Sequence, residues 1–346
     1  MILIYIYGFI FSLTLALLVT PLVISIAEKF NVMDKPDPRK VHSRMMPRWG
    51  GISIYFGFIG SIILLYLLKI GSFRMLLNFP IEKYVNVPSA TIQTYLTGII
   101  IGCTIIVFLG MIDDKKGVEP LTKLLTQIIA AMVVLQYGIK IVGFTSPFTG
   151  SYIELPIIVS TFITALWIIG FINSVNLVDG LDGLAAGIVA IAGITFFIVT
   201  VSQINVQKSV VIIKGLKLVA LLSVCLVGSV LGFLRYNFSP ARIFMGDTGS
   251  MLLGFIVGTL TIIGILKTTA AIALFIPIIM FGVPIMDAGF TIVRRLFNKQ
   301  PIMKADKGHF HHILLNRGWS QRKIVITIYI ISAVLGAVAI ILNKGS

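Results

Sequence analysis

Charge is scarce in this chain, and cysteine scarcer still. Only 12% of its 346 residues are Asp, Glu, Lys or Arg, against 57% hydrophobic. A mean hydropathy of +1.02 lies outside the range of water-soluble domains, in which about a quarter of residues are charged. That excludes a soluble globular domain and a disordered chain alike. The two cysteines, Cys103 and Cys225, both fall inside apolar runs, where they behave as small hydrophobes, so neither a disulfide framework nor a cysteine metal set is available. Acidic residues number 13 against 28 basic ones, a net charge of +15. The basic residues lie in short loops flanking apolar runs instead of on a soluble domain, which fits membrane topology and anionic lipid or substrate and excludes a nucleic-acid partner. A fixed-period repeat and a low-complexity segment are also lacking, so 1–346 reads as one transmembrane domain. The first apolar run carries no charge before Glu28, lacks the basic flank of a secretory signal, and reads as a retained anchor.

What the chain does have is apolar runs long enough to cross the bilayer, at about 20 residues per helix. The spans expected are 2–27, 50–68, 91–112, 121–139, 156–175, 183–203, 217–234, 249–267, 270–293 and 323–342, which makes an all-α polytopic membrane protein of about ten helices. Between 139 and 156 the pattern around Pro147 and Gly150 predicts a small hairpin. Most Lys and Arg residues follow the odd-numbered spans, among them Lys29, Lys35, Arg39, Lys40, Arg44, Arg48, Lys115, Lys116, Lys123 and the set from Arg294 to Lys323. Basic loops stay in the cytosol, so these loops are placed there and both termini outside.

The acids share that side: of the 13 Asp and Glu residues, only Glu82 and Glu154 fall outside. Acids have little influence on topology, so their clustering needs another cause. The segment Gly110 to Lys116 holds the adjacent pair Asp113 and Asp114 at a helix end; adjacent carboxylates call for a nearby cation or a shared proton, although a solvated loop start is the alternative. Lys123 follows inside the next run, where a snorkelling interface lysine is the plainer reading. The segment Asn173 to Gly183 carries Asn173, Asn176, Asp179 and Asp182 without a Lys or Arg, a density of oxygen donors that suits a hard divalent cation better than a plain turn. In Phe244 to Ser250, Asp247 stands where the eighth span begins and either caps that helix or binds a metal. Finally, His309, His311 and His312 crowd the most basic loop; with no cysteine beside them they suit phosphate oxygens better than zinc. Asp287, inside the ninth run, is expected to pair structurally.

Together these segments resemble the polyprenyl-phosphate N-acetylhexosamine-1-phosphate transferase family, which includes phospho-N-acetylmuramoyl-pentapeptide translocase. The resemblance covers nearly the whole chain, including the segment from Asp34 through Arg39, Lys40 and His42 to Arg48 and Gly51. His309-Phe310-His311-His312 looks more like the branch that transfers N-acetylglucosamine-1-phosphate from the UDP-sugar donor, since the muramoyl branch usually shows consecutive histidines. The resemblance implies Mg2+, with Mn2+ as a substitute, on Asn176 and Asp247; Lys123 on the pyrophosphate; Asp182, with Asp179 in the same loop, and Phe244 at the uracil; His309, His311 and His312 over the phosphates; and Asp113 and Asp114 as catalytic residues beside the polyprenyl phosphate. Arg39, Lys40, His42 and Arg48 are implied for donor or carrier phosphate, and a homodimer is common among such transferases. The implied chemistry is in-line attack by the lipid phosphate on the sugar-bearing phosphorus, with Asp113 taking any remaining proton and UMP leaving; a covalent aspartyl phosphate is the rival. A lipid-facing groove should lead towards Asp113. A cation-coupled transporter is the reading from another class, but its acids would sit near the midplane of paired broken helices, whereas here they lie at helix ends.

Overall fold

The computed structural model describes residues 1–36, 44–81, 91–146, 149, 151–265, 282, 285–286, 289, 314–315 and 317–344. Over these the chain forms α1 (Ile2–Lys29), a short antiparallel pair β1 (Met33–Asp34) and β2 (Met46–Pro47), α2 (Gly50–Leu67), the single turn α3 (Phe73–Leu77), α4 (Ile92–Lys116) and α5 (Pro120–Gln136). There follow the hairpin β3 (Gly143–Thr145) and β4 (Tyr152–Glu154), then α6 (Ile157–Val178), α7 (Leu184–Val206), α8 (Val210–Asn237), α9 (Gly246–Ile265) and α10 (Gln321–Lys344). Helices are expected in lipid because each satisfies its own backbone hydrogen bonds where no water can. Among the described residues eight helices are long and apolar enough to span a bilayer, with α5 a shorter apolar helix beside them. Leu18, Leu22, Phe108, Ile158, Phe162 and Leu166 stand exposed on outward faces, which water would penalise and acyl chains accept. This is a multi-pass membrane protein.

Every expected span but the ninth coincides with one of these helices; 270–293, with Asp287, lies outside the described residues. Several boundaries move. Helix α4 continues to Lys116, so that Asp113 and Asp114 lie in its last turns, and stops where Gly117 takes a φ of 73°. Helix α6 continues to Val178, which makes Asn176 helical. Helix α8 begins at Val210, ahead of the expected 217, because the stems of Lys214 and Lys217 can lie along an apolar helix while their ammonium groups reach the interface. The hairpin expected between 139 and 156 is present.

The bundle is organised around α9. It is the least apolar of the eight spans, at a mean hydropathy of 1.4, yet 94% of its apolar window is buried, against 22% for α1 and 33% for α6 and α10. Helices α2, α4, α6 and α8 surround it. Small residues permit that enclosure, as they commonly do between membrane helices: a side chain at Gly110 of α4 would run into the Thr248 backbone of α9. The connection from α4 to α5 is only 117–119, and Pro120 opens α5, a position where its missing N–H costs nothing. This tight reversal returns the chain to the same membrane face.

Substitution of Gly110 by Leu should separate α4 from α9 and cost about 1–3 kcal/mol, the usual range for overpacking. Gly170→Ala, at a position where an added methyl meets open space, should leave stability intact. Thermal denaturation of both variants in detergent checks the contrast.

Candidate active site

The C-terminal ends of α4 and α6 and the N-terminal ends of α5 and α9 converge at one end of the bundle, and each brings a polar side chain. On α4, Asp114 is fully enclosed. Its Oδ1 accepts the Asp247 amide N–H (2.9 Å); its Oδ2 accepts the Thr248 amide N–H (3.1 Å) and the Thr248 hydroxyl (2.6 Å). The first amides of a helix have no intrahelical acceptor and form its positive end, so Asp114 caps α9 from a different helix. Gly246, at a φ of 69°, lies against this carboxylate, where a side chain would displace it. The Arg48 guanidinium approaches Asp114 at 3.7 Å and Asp34 at 3.5 Å, tying β1 to α4. Burial works against the charge on Arg48, and Asp114, Asp34, Asp247 and Asp113 outweigh it, raising its pKa.

Asp113 has a different environment. Its Oδ1 accepts the Val118 amide N–H (2.7 Å), fixing the α4–α5 turn, and its Oδ2 pairs with the Lys123 ammonium. Lys123 also donates to Asp247 Oδ2 (2.7 Å). Asp247 Oδ1 accepts from the Asn176 amide (3.0 Å), which donates as well to Ser250 Oγ (2.8 Å). The Asp247 side chain keeps 26% of its exposure against 6% for Asp113, so Asp247 is the carboxylate more open to a ligand.

Asp179 ends α6 and is half-buried. Burial, together with the neighbouring carboxylates of Asp247, Asp114 and Asp182, pushes its pKa up to about 8, with Arg48 acting in the opposite sense. The loop that follows is fastened on all sides: Asp182 Oδ2 accepts the Ala241 amide N–H (3.0 Å), Gly183 N–H donates to Asn237 Oδ1 (3.0 Å), and the Tyr329 hydroxyl of α10 donates to the Gly183 carbonyl (2.5 Å). Asn237 donates in turn to the Ile243 carbonyl (2.9 Å). Phe244 is half-buried and pairs through its backbone with Pro47 (2.8 Å) and Gly50 (3.0 Å), docking the end of the first loop on the segment before α9. Trp49, forced to a φ of 74°, secures the same corner by donating its indole N–H to the Met111 carbonyl (3.1 Å).

The structure thus brings Asp113, Asp114, Lys123, Asn176, Asp179, Asp247 and Arg48 together, and connects Asp182 and Phe244 to the same corner through the 241–244 segment. Arg39, Lys40, His42, His309, His311 and His312 lie outside the described residues. Sequence reasoning assigned no role to Asp34, Gln127, Asn237, Thr248 or Tyr329. For Gln127 the available signal was an amide within an apolar run, which is costly unless it has a partner.

Among the described residues no group of three or more His, Cys, Asp or Glu could hold a metal ion unaided. Mg2+ does not require one, since it keeps several waters and takes substrate phosphates beside one or two protein oxygens. The donors clustered here are carboxylate and amide oxygens, and that chemistry fits.

Residues 96–265, from α4 to the end of α9, match the model of glycosyl transferase family 4. Over 339 residues the chain is 38% identical to a "probable undecaprenyl-phosphate N-acetylglucosaminyl 1-phosphate transferase" of Bacillus subtilis, covering 98% of this chain and 85% of that one. The chain belongs to glycosyl transferase family 4. Another relative is the decaprenyl-phosphate N-acetylglucosaminephosphotransferase of Mycolicibacterium smegmatis, 32% identical over 88% of this chain and 74% of its own length. The phospho-N-acetylmuramoyl-pentapeptide-transferase of Desulfitobacterium hafniense is 31% identical over 67% and 71%. The stretch matched to family 4 holds Asp113, Asp114, Lys123, Asn176, Asp179, Asp182, Phe244 and Asp247.

Two outcomes follow from this geometry. Asp114→Ala orphans two α9 amides and leaves the Arg48 charge with Asp34 as its remaining ion-pair partner, so it should cost about 3 kcal/mol, the lower end for removing one partner of a buried pair; Asp113→Asn should leave thermal stability near the parent value. For Asp179, a folded-state pKa raised to about 8 means that the folded protein holds a proton the unfolded chain releases near pH 4. Its contribution is therefore full below that pH and lost as pH rises towards 8. The parent's melting temperature, measured with chelator present, should fall more steeply over that window than that of Asp179→Asn.

Proposed function

We propose that this enzyme transfers N-acetylglucosamine-1-phosphate from UDP-N-acetylglucosamine to undecaprenyl phosphate, releasing UMP, on the cytosolic face of the membrane. The observation that carries the reading is Lys123 held between Asp113 and Asp247 with Asn176 alongside, at the membrane-surface end of apolar helices. Phosphoryl transfer depends on positioning and on neutralising oxygen charge more than on covalent chemistry. That cluster supplies a mobile cation and oxygen donors where a lipid-borne phosphate can meet a soluble nucleotide. The names of the two N-acetylglucosamine-phosphate transferring relatives support the donor and the carrier.

In this reading Lys123 takes the pyrophosphate oxygens, Asp182 and Phe244 receive the uracil, and Asp113 accepts any proton left on the attacking lipid phosphate. Phosphomonoesters have a second pKa near 6, so much of the nucleophile is already dianionic and a strong base is unnecessary. Asp114 orients α9 and with it Asp247. A divalent cation, Mg2+ or Mn2+, held by Asn176 and Asp247, would neutralise charge developing on the transferred phosphoryl group. Exposed Phe108 and Ile112 on α4 and Leu121 and Leu125 on α5 give the prenyl tail an apolar approach to Asp113. Basic residues on the same side as the cluster support the cytosolic placement.

The test uses purified protein in detergent with Mg2+, undecaprenyl phosphate and UDP-N-acetylglucosamine labelled in both sugar and phosphate. Equimolar UMP and a lipid carrying both labels are expected, with EDTA or Asp247→Ala lowering turnover by at least about 100-fold, as loss of a principal electrostatic group does. Turnover only with the UDP-muramoyl-pentapeptide donor would move the protein to the other branch. Silence with both donors would overturn the transferase reading.

A further inference from the structure

Beneath the reacting cluster lies a second, uncharged layer. Gln127 follows Lys123 by one turn of α5, Asn173 precedes Asn176 by one turn of α6, and Met251 follows Asp247 by one turn of α9. Spacings of three and four place each pair on the same helix face, so the second layer repeats the first about 5 Å deeper in the membrane. Gln127 is 3% exposed. Its Oε1 accepts from the Asn173 amide (2.9 Å), and its own amide donates to Met251 Sδ (3.7 Å). Asn173 also donates to the Ile169 carbonyl one turn back on its helix (2.8 Å), which fixes its rotamer. One glutamine therefore touches α9, which carries the Lys123 partner Asp247, and α6, which carries the Asn176 bound to that carboxylate.

Apolar helices in lipid have no hydrophobic drive to hold one register, and side-chain hydrogen bonds between them contribute little net stability. Their direction nevertheless selects one alignment over others. Lys123 must meet Asp113 on α4 and Asp247 on α9 while Asn176 reaches Asp247 from α6. A slip of α5 against α6 would break that convergence. We propose that Gln127 is a positioning residue for phosphoryl transfer, its bond to Asn173 locking α5 to α6 one turn below the reacting groups. The link to catalysis rests on the proposed function; the locking itself does not.

Two measurements test it. Pulsed electron resonance between spin labels at the exposed positions Leu125 and Leu166 reports the α5–α6 alignment without turnover, and the buried Cys103 and Cys225 escape labelling. The parent should give a narrow distance distribution and Gln127→Met, similar in shape but without the acceptor, a broader or shifted one; an unchanged distribution overturns the lock even if the parent proves inactive. In the transferase assay Q127M and N173L should each lower kcat by about 10- to 100-fold, the scale of a small misplacement of reacting groups, with KM for the nucleotide sugar within about twofold and melting temperatures close to the parent. The double variant should be no worse than the poorer single one, as expected for groups acting through one bond. Unchanged kcat in either folded variant, or losses that multiply in the double, would overturn the positioning role. N173L probes the same bond from α6 if Q127M does not fold.

Discussion

Four carboxylates, Asp113, Asp114, Asp179 and Asp247, crowd one end of an apolar bundle, where Lys123 pairs with Asp113 and Asp247 and Arg48 with Asp114. Like charges in so small a volume cannot be left to solvent screening, because the surrounding helices exclude water. The structure separates them by environment. Asp114 is satisfied by helix amides, a hydroxyl and Arg48; Asp179 is pushed towards its protonated form; Asp113 and Asp247 share one lysine. Only the last arrangement relies on a flexible cation, and that is the one left with groups able to engage a ligand.

Much of the remaining architecture serves to hold this distribution in place. Gly110 and Gly246 permit the approach that brings Asp114 onto the start of α9, and the short 117–119 reversal returns Lys123 to Asp113. On the opposite flank Asn237, Tyr329 and Ala241 immobilise the loop from Asp179 to Gly183 through its backbone and Asp182. Gly183 in that loop is braced by Asn237 and Tyr329, partners far away in the chain. Rigid polar loops over an apolar scaffold are what a site needs when its two substrates arrive from different solvents.

Helix placement over the described residues was legible because apolar runs of membrane length are hard to mistake, and the Asp pair, the Asn-Asp loop and Asp247 stood out because charge is so rare elsewhere. Their division of labour was not legible. Asp113 and Asp114 are neighbours of identical chemistry, and only the packing of α9 decides which one becomes a cap. Asp247 carried two readings, cap and ligand; in three dimensions the capping is done by Asp114, leaving the Asp247 side chain free to face Lys123 and Asn176. Helix ends were misjudged where polar residues continue a helix, at Asp113, Asn176 and Lys214, since a hydropathy boundary is not a hydrogen-bonding boundary. Gln127 went unremarked because an amide has no charge to draw attention, although its partner lies 46 positions away.

The modest hydropathy of α9 bears on how the protein is made. A segment with a mean of 1.4 beside others at 1.9 to 2.8 has the weakest grounds of the eight for leaving the insertion machinery for lipid by itself. Its glycines and hydroxyls are welcome only against protein. The α2, α4, α6 and α8 segments precede it in the chain, so a ready-made protein cavity can be waiting when it emerges. The helix that completes the carboxylate cluster is thus the one that depends most on walls built earlier in the chain.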